Sequence, residues 1–286
     1  MFAAASYPDP WRFVPNPEVY LLVAFLIGAY VYLVRVLQPS AVAAGAAPVS
    51  RRQWGAFAAA MVVLFFAGTW PLHQVGEDYL YFMHMVQHLL LSMVLPPLIW
   101  MATPAWLLRV LIGQGRLLRV VRFMSKPVAA AAGYNVMVAV LHIPGVVNAS
   151  TTNGALHFGL HLLVVLSSVV LWFPVIGPLP EMQLGYGAKM VYLFLSSVIS
   201  TVPAMWMAMA DGVVYDHYGD QPVRVWGMSA MEDQQIAGII MKTGGGLYLW
   251  AVILTMFVRR FSREQKAGGA APAATAAPSA SPARVG

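Results

Sequence analysis

Leu80-Tyr-Phe-Met-His-Met-Val-Gln-His-Leu-Leu-Leu-Ser-Met-Val-Leu-Pro-Pro-Leu-Ile-Trp100 decides the fold. The stretch has about the 20 residues that an α-helix needs to cross a hydrocarbon core, and it contains no Asp, Glu, Lys or Arg. His84 and His88 stand four residues apart within it, about one helical turn, so both imidazoles project from one face. Ionisable groups inside a bilayer are costly and usually functional. A second pair of the same spacing, His157-Phe-Gly-Leu-His161, sits in another apolar run.

Working outward, the whole chain has the composition of a membrane protein. It is 59% hydrophobic and 10% charged, against about 25% charged in soluble domains, and its mean hydropathy is +0.68. Seven apolar segments, near 18–37, 54–72, 80–100, 128–147, 156–177, 187–210 and 234–258, predict an all-α polytopic membrane protein of seven transmembrane helices. The domain reading is an outer segment 1–17, a membrane domain 18–260 and a disordered cytoplasmic tail 261–286 rich in Ala, Pro, Ser and Gly. The stretch at about 103–126 is too basic to span. Its Arg109, Arg116, Arg119 and Arg122 alternate with apolar residues, as in an amphipathic helix on the membrane surface.

The sequence pI of 9.7 would suggest nucleic acid in a soluble protein. Here the basic residues mark orientation instead, and no nucleic-acid partner is expected. Arg35, Arg51 and Arg52 follow the first span, Arg109 to Lys126 join the third and fourth, and Arg259, Arg260, Arg263 and Lys266 follow the last. The alternate loops hold Glu77, Asp78, Asp211, Asp216, Asp220, Glu232 and Asp233 against the single Arg224. The positive-inside rule then puts the N-terminus out and the C-terminus in. The first span reads as a retained helix, since its apolar run exceeds that of a signal peptide and no basic cluster precedes it.

All seven histidines fall toward the outer side of this topology. His84, His88, His157 and His161 are the primary candidates for metal ligands, with His142 and His73 as further ones. There is no cysteine, which excludes disulfides, thiolate sites, a cysteine nucleophile and covalent haem attachment. Gln87 precedes the second histidine of the first pair and no glutamate follows the first, so the pair is not the HExxH of a zinc peptidase. No enzyme is indicated. Copper suits imidazole and thioether donors, and Met83 and Met85 flank His84 while Met205, Met207 and Met209 end the sixth span. Of these, Met83 and Met205 are the auxiliary candidates. Haem is the alternative cofactor, held between a histidine of one pair and a histidine of the other.

The last span opens at Ser229-Ala-Met-Glu232, a capping box, followed by Asp233. Asp233 is a candidate partner of the histidines. Lys242 lies deep in the span, where a cation needs a partner, and Asp211 is the candidate.

Four blocks carry a family resemblance. They are His84-Met-Val-Gln-His-Leu-Leu-Leu with Pro96-Pro97, His142-Ile-Pro-Gly, His157-Phe-Gly-Leu-His with Trp172-Phe-Pro, and Glu232-Asp-Gln-Gln-Ile-Ala-Gly-Ile-Ile-Met-Lys. The chain resembles the CtaG-type cytochrome c oxidase assembly factors over about residues 70 to 260. The resemblance implies a multi-pass protein of the bacterial plasma (inner) membrane that helps mature a haem-copper oxidase by supplying copper on the outer face. Its partners would be oxidase subunits, membrane lipid and a copper donor on the outer side. A metal-free scaffold for oxidase subunits remains a second reading, with the histidines bonding between helices.

Overall fold

The computed structural model describes residues 9–268, and among them the regular structure is entirely helical. Among the described residues, six helices are long and apolar enough to cross a membrane: Pro17–Ala43, Arg51–Asp78, Tyr81–Ala102, Gly154–Ile176, Tyr186–Met209 and Ala230–Gln265. A seventh crossing is counted when Arg116–Met124 and Pro127–Leu141, bent by 74° at their junction, are taken as one span. The protein is thus an all-α multi-pass membrane protein. The spans are numbered here in chain order, with Pro127–Leu141 as the fourth. Leu21, Phe25, Val128 and Val202 are exposed on the outside of the bundle, as lipid-facing side chains are.

The third span is the central one. It packs against the second, fifth and seventh spans, and its first turns carry the helix Leu72–Asp78 that ends the second. Its interior is not regular α-helix. Pro96 and Pro97 have no N–H, so the carbonyls four residues earlier lose their helical donors. The chain responds with a π-turn over Leu90–Val94, in which Leu95 N–H donates to Leu90 O. Trp172 Nε1 takes up the freed Ser92 O at 3.1 Å, and Ser92 Oγ donates to His88 O at 2.6 Å. This is why a tryptophan sits in the last turns of the fifth span. It is almost fully buried and bonds the fifth span to the third.

The sixth and seventh spans are also interrupted. The sixth breaks at Ser200, between Tyr186–Ile199 and Thr201–Met209, where Pro203 cannot donate to Ile199 O. The seventh opens on the expected capping box, with Ser229 Oγ accepting from Glu232 N–H and Glu232 accepting from Ser229 N–H. It then passes through a second π-turn at Ile240–Gly244. The two spans touch at Gly238, where an added Cβ would lie 2.6 Å from Ala204 O.

Several boundaries differ from the sequence reading, the first helix running to Ala43 and the second to Asp78. The fourth helix ends at Leu141 rather than near 147, because Ile143 before Pro144 is extended and Pro144 starts a new helix, Pro144–Thr152. The basic stretch 103–126 forms two helices, Ala105–Ile112 and Arg116–Met124, separated at Gly113 to Gly115. The last helix runs on to Gly268, so 261–268 belong to it rather than to the tail. An i,i+4 pair, Arg260 Nε to Glu264 Oε1 at 2.6 Å, supports that extension. Residues 1–8 and 269–286, which hold the rest of the two terminal segments, lie outside the described residues. At the basic end Arg109 pairs with Glu181 at 2.9 Å, joining the loops after the third and fifth spans.

Candidate metal centre

Glu77 lies at the middle of the histidine cluster. It sits on the helix Leu72–Asp78 one turn after His73, so the two share a face. Gly76 lets this helix close onto the start of the third span, since a Cβ there would be 2.8 Å from His84 N. A single carboxylate oxygen, Glu77 Oε1, is consequently 2.9 Å from His84 Nδ1, 3.3 Å from His157 Nε2, 3.5 Å from His161 Nε2 and 3.7 Å from His73 Nδ1. Two helical segments that are neighbours in sequence, Leu72–Asp78 and Tyr81–Leu89, and a distant one, Gly154–Ile176, converge on one atom.

The rings pack closely. Centroids are 4.4 Å apart within each of the pairs His84/His88 and His157/His161, and 5.0 Å apart from His88 to His161 across the two spans. The two HxxxH faces therefore meet. His84 Nδ1 and Glu77 are hydrogen-bonded, which fixes that ring. His157 Nε2 and His161 Nε2 approach Glu77 without hydrogen-bond geometry, and both are buried with no hydrogen-bond partner. Gln87, 1% exposed, orients His73 through its amide nitrogen, 3.0 Å from His73 Nδ1.

His142 caps the fourth helix and is 6% exposed. Its Nδ1 lies 2.7 Å from Val138 O, which can only accept, so Nδ1 carries the proton. Nε2 is then a bare lone pair, and it is buried with no partner. His142 lines one cavity together with Glu77, His84, His88, His157 and His161.

The donor set suits a metal ion. Two groups of three residues, His84/His88/His161 and His73/Glu77/His157, have ligand atoms within 4.8 Å of one another. A tetrahedral ion with bonds of about 2.0–2.1 Å sets its ligand atoms about 3.3 Å apart, close to the distances around Glu77 Oε1. Buried nitrogens without hydrogen-bond partners are what such an ion would satisfy.

The remaining candidates stand elsewhere. Asp233, 3% exposed, does not face the histidines; its two oxygens accept Tyr81 N–H at 2.7 Å and Phe82 N–H at 2.9 Å. It caps the helix that carries His84 and His88. Lys242 Nζ donates to Thr201 Oγ1 and not to Asp211, which is exposed. Met83 packs with Val75, Leu80 and Val225, away from the cavity, and Met205 is exposed. Met85 lines the cavity in their place. His217 Nε2 donates to Glu77 O at 2.9 Å, as part of the loop over the cluster. In that loop Tyr218 OH donates to Gly76 O, and Tyr215 OH donates to His142 O at 3.2 Å. Burial pushes the Tyr215 phenol up to about 12, which keeps it a donor.

Sequence reasoning missed Glu77 as part of the site. The signal was available: His73-x-x-x-Glu77 has the same one-turn spacing as the two histidine pairs.

Fold and cluster together define a helical multi-pass membrane protein with a histidine–carboxylate centre at one end of its bundle. The chain belongs to the cytochrome c oxidase caa3 assembly factor family (Caa3_CtaG), whose model matches residues 28–263. That is a family of assembly factors rather than enzymes, which act on oxidase subunits. No curated protein and no solved structure matches the chain.

Proposed function

We propose that this assembly factor binds copper at the histidine–Glu77 cluster and delivers it to a subunit of a haem-copper oxidase in the bacterial plasma membrane. The single observation that carries the reading is the ring of four imidazole nitrogens within 3.7 Å of one Glu77 oxygen. Imidazole with a carboxylate is a borderline-to-hard set, suited to Cu(II) more than to Cu(I), and Cu(II) binds such donors more tightly than other divalent first-row ions do. Met85 is the one thioether at the cavity among those near His84. Haem fits less well, because rings with centroids 4.4 to 5.6 Å apart around a carboxylate leave no slot for a macrocycle.

The cluster lies at the end of the bundle away from Arg109, Arg116 and Arg260. With the positive-inside rule, that end faces outward, so copper arrives from a donor on the outer aqueous side. The test is elemental analysis of detergent-purified protein after copper loading and desalting. Copper is retained by the native chain and lost in the double variant His84→Ala/His88→Ala, whose expression in cells leaves the oxidase inactive at normal abundance of the assembly factor. Undiminished oxidase activity with that variant would refute copper delivery and favour the scaffold reading.

A further inference from the structure

We propose that the cluster is built for two ions rather than one: an entry position on His73, Glu77 and His157, and a holding position on His84, His88 and His161. This rests on the copper reading above. The number of donors carries it first. A four-coordinate ion takes four ligands, whereas five imidazoles and one carboxylate belong to the two ligand groups. They divide into two sets of three that share no residue, and within each set the ligand atoms lie within 4.8 Å of one another. Three protein ligands with an open fourth position is the arrangement of sites that exchange what they bind, and closed four-ligand sites are structural.

Glu77 joins the two sets. Its Oε1 touches the entry set at His157 (3.3 Å) and the holding set at His84 (2.9 Å) and His161 (3.5 Å). A carboxylate placed so can bridge paired ions about 3.5–4 Å apart and offset their repulsion in a site that excludes water. His84, bonded to Glu77 through Nδ1, would coordinate through Nε2, the carboxylate–histidine–metal pattern. The holding position has one further donor in reach of the same cavity, the unpartnered Nε2 of His142. His88 and His161 each lie one turn beyond their partners, so the holding set reaches about 6 Å deeper along both helices. Copper therefore meets His73 and His157 first and passes inward across Glu77.

Full-length protein in detergent is loaded with excess Cu(II) and desalted; copper per chain is measured, and the electron paramagnetic resonance signal is integrated against it. The native chain retains two ions whose integrated spin falls short of the copper present, because neighbouring Cu(II) ions couple. His73→Ala and His88→Ala each retain one ion with full spin intensity. Glu77→Gln, which keeps the shape of the side chain, also falls to one, and it decides the matter should either alanine variant misfold. One ion in the native chain, lost in both alanine variants, means a single shared site and overturns the proposal while leaving the copper reading intact. Two ions of full spin intensity overturn it as well, as does unchanged coupling in Glu77→Gln. No copper at all overturns the copper reading itself.

Discussion

Asp233 shows how a residue can govern a site that it does not touch. Its carboxylate is buried and accepts the first two N–H groups of the histidine-bearing helix, groups that have no acceptor of their own within the helix. Asp233→Asn removes the charge and one good acceptor. The expected loss is about 1.5–3 kcal/mol for a hydrogen bond to a charged group, read as a lower Tm in detergent together with weaker copper retention. An unchanged Tm would show that the cap adds nothing. The sequence offered Asp233 as a partner of the histidines and Glu232 as half of a capping box. The box was legible because its residues lie three apart, but nothing local marks a bond to Tyr81 across 152 positions. Glu77 was hidden for a different reason. Beside Asp78, between two apolar runs, it reads as an ordinary loop acid, and only its one-turn spacing from His73 says otherwise.

Among the elements, helix existence was plain from hydrophobic runs, whereas their interruptions depend on proline chemistry and tertiary acceptors. The π-turn before Pro96-Pro97 leaves Ser92 O to be satisfied by Trp172. Trp172→Phe keeps the ring but strands that buried carbonyl. It should cost about 1–3 kcal/mol, lowering Tm while leaving copper per chain unchanged, since Trp172 is not part of the cluster. Gly76 makes the opposite separation. Gly76→Ala adds a methyl 2.8 Å from His84 N, against backbone that cannot swing aside. Overpacking of this kind costs about 1–3 kcal/mol, and here the strain falls between the helix of Glu77 and the helix of His84. Copper retention should drop although alanine replaces no ligand. Native retention in Gly76→Ala would mean that the close approach is not needed for the site.

At the scale of the whole molecule, the basic loops and the histidine cluster occupy opposite ends, and the orientation that follows can be tested directly. The chain contains no cysteine, so a single introduced thiol reports its side without background. Asp220→Cys, in the loop over the cluster, should react with a membrane-impermeant maleimide in intact cells. Ser262→Cys, exposed at the basic end of the last helix, should react only once the cells are opened; the reverse pattern would invert the topology. The bond from Asp233 to Tyr81 and Phe82 carries a consequence for how the protein is made. Synthesis runs from the N-terminus, so every histidine of the cluster leaves the ribosome and enters the membrane before Asp233 exists. Until then the first two N–H groups of the third span, one turn before His84, lack the carboxylate that accepts them. Under the copper role proposed above, a half-finished chain would lack the capped helix that presents His84, and a truncated product would not draw on the cell's supply. Metal loading would then be a property of the finished molecule, a proofreading of biosynthesis written into one carboxylate.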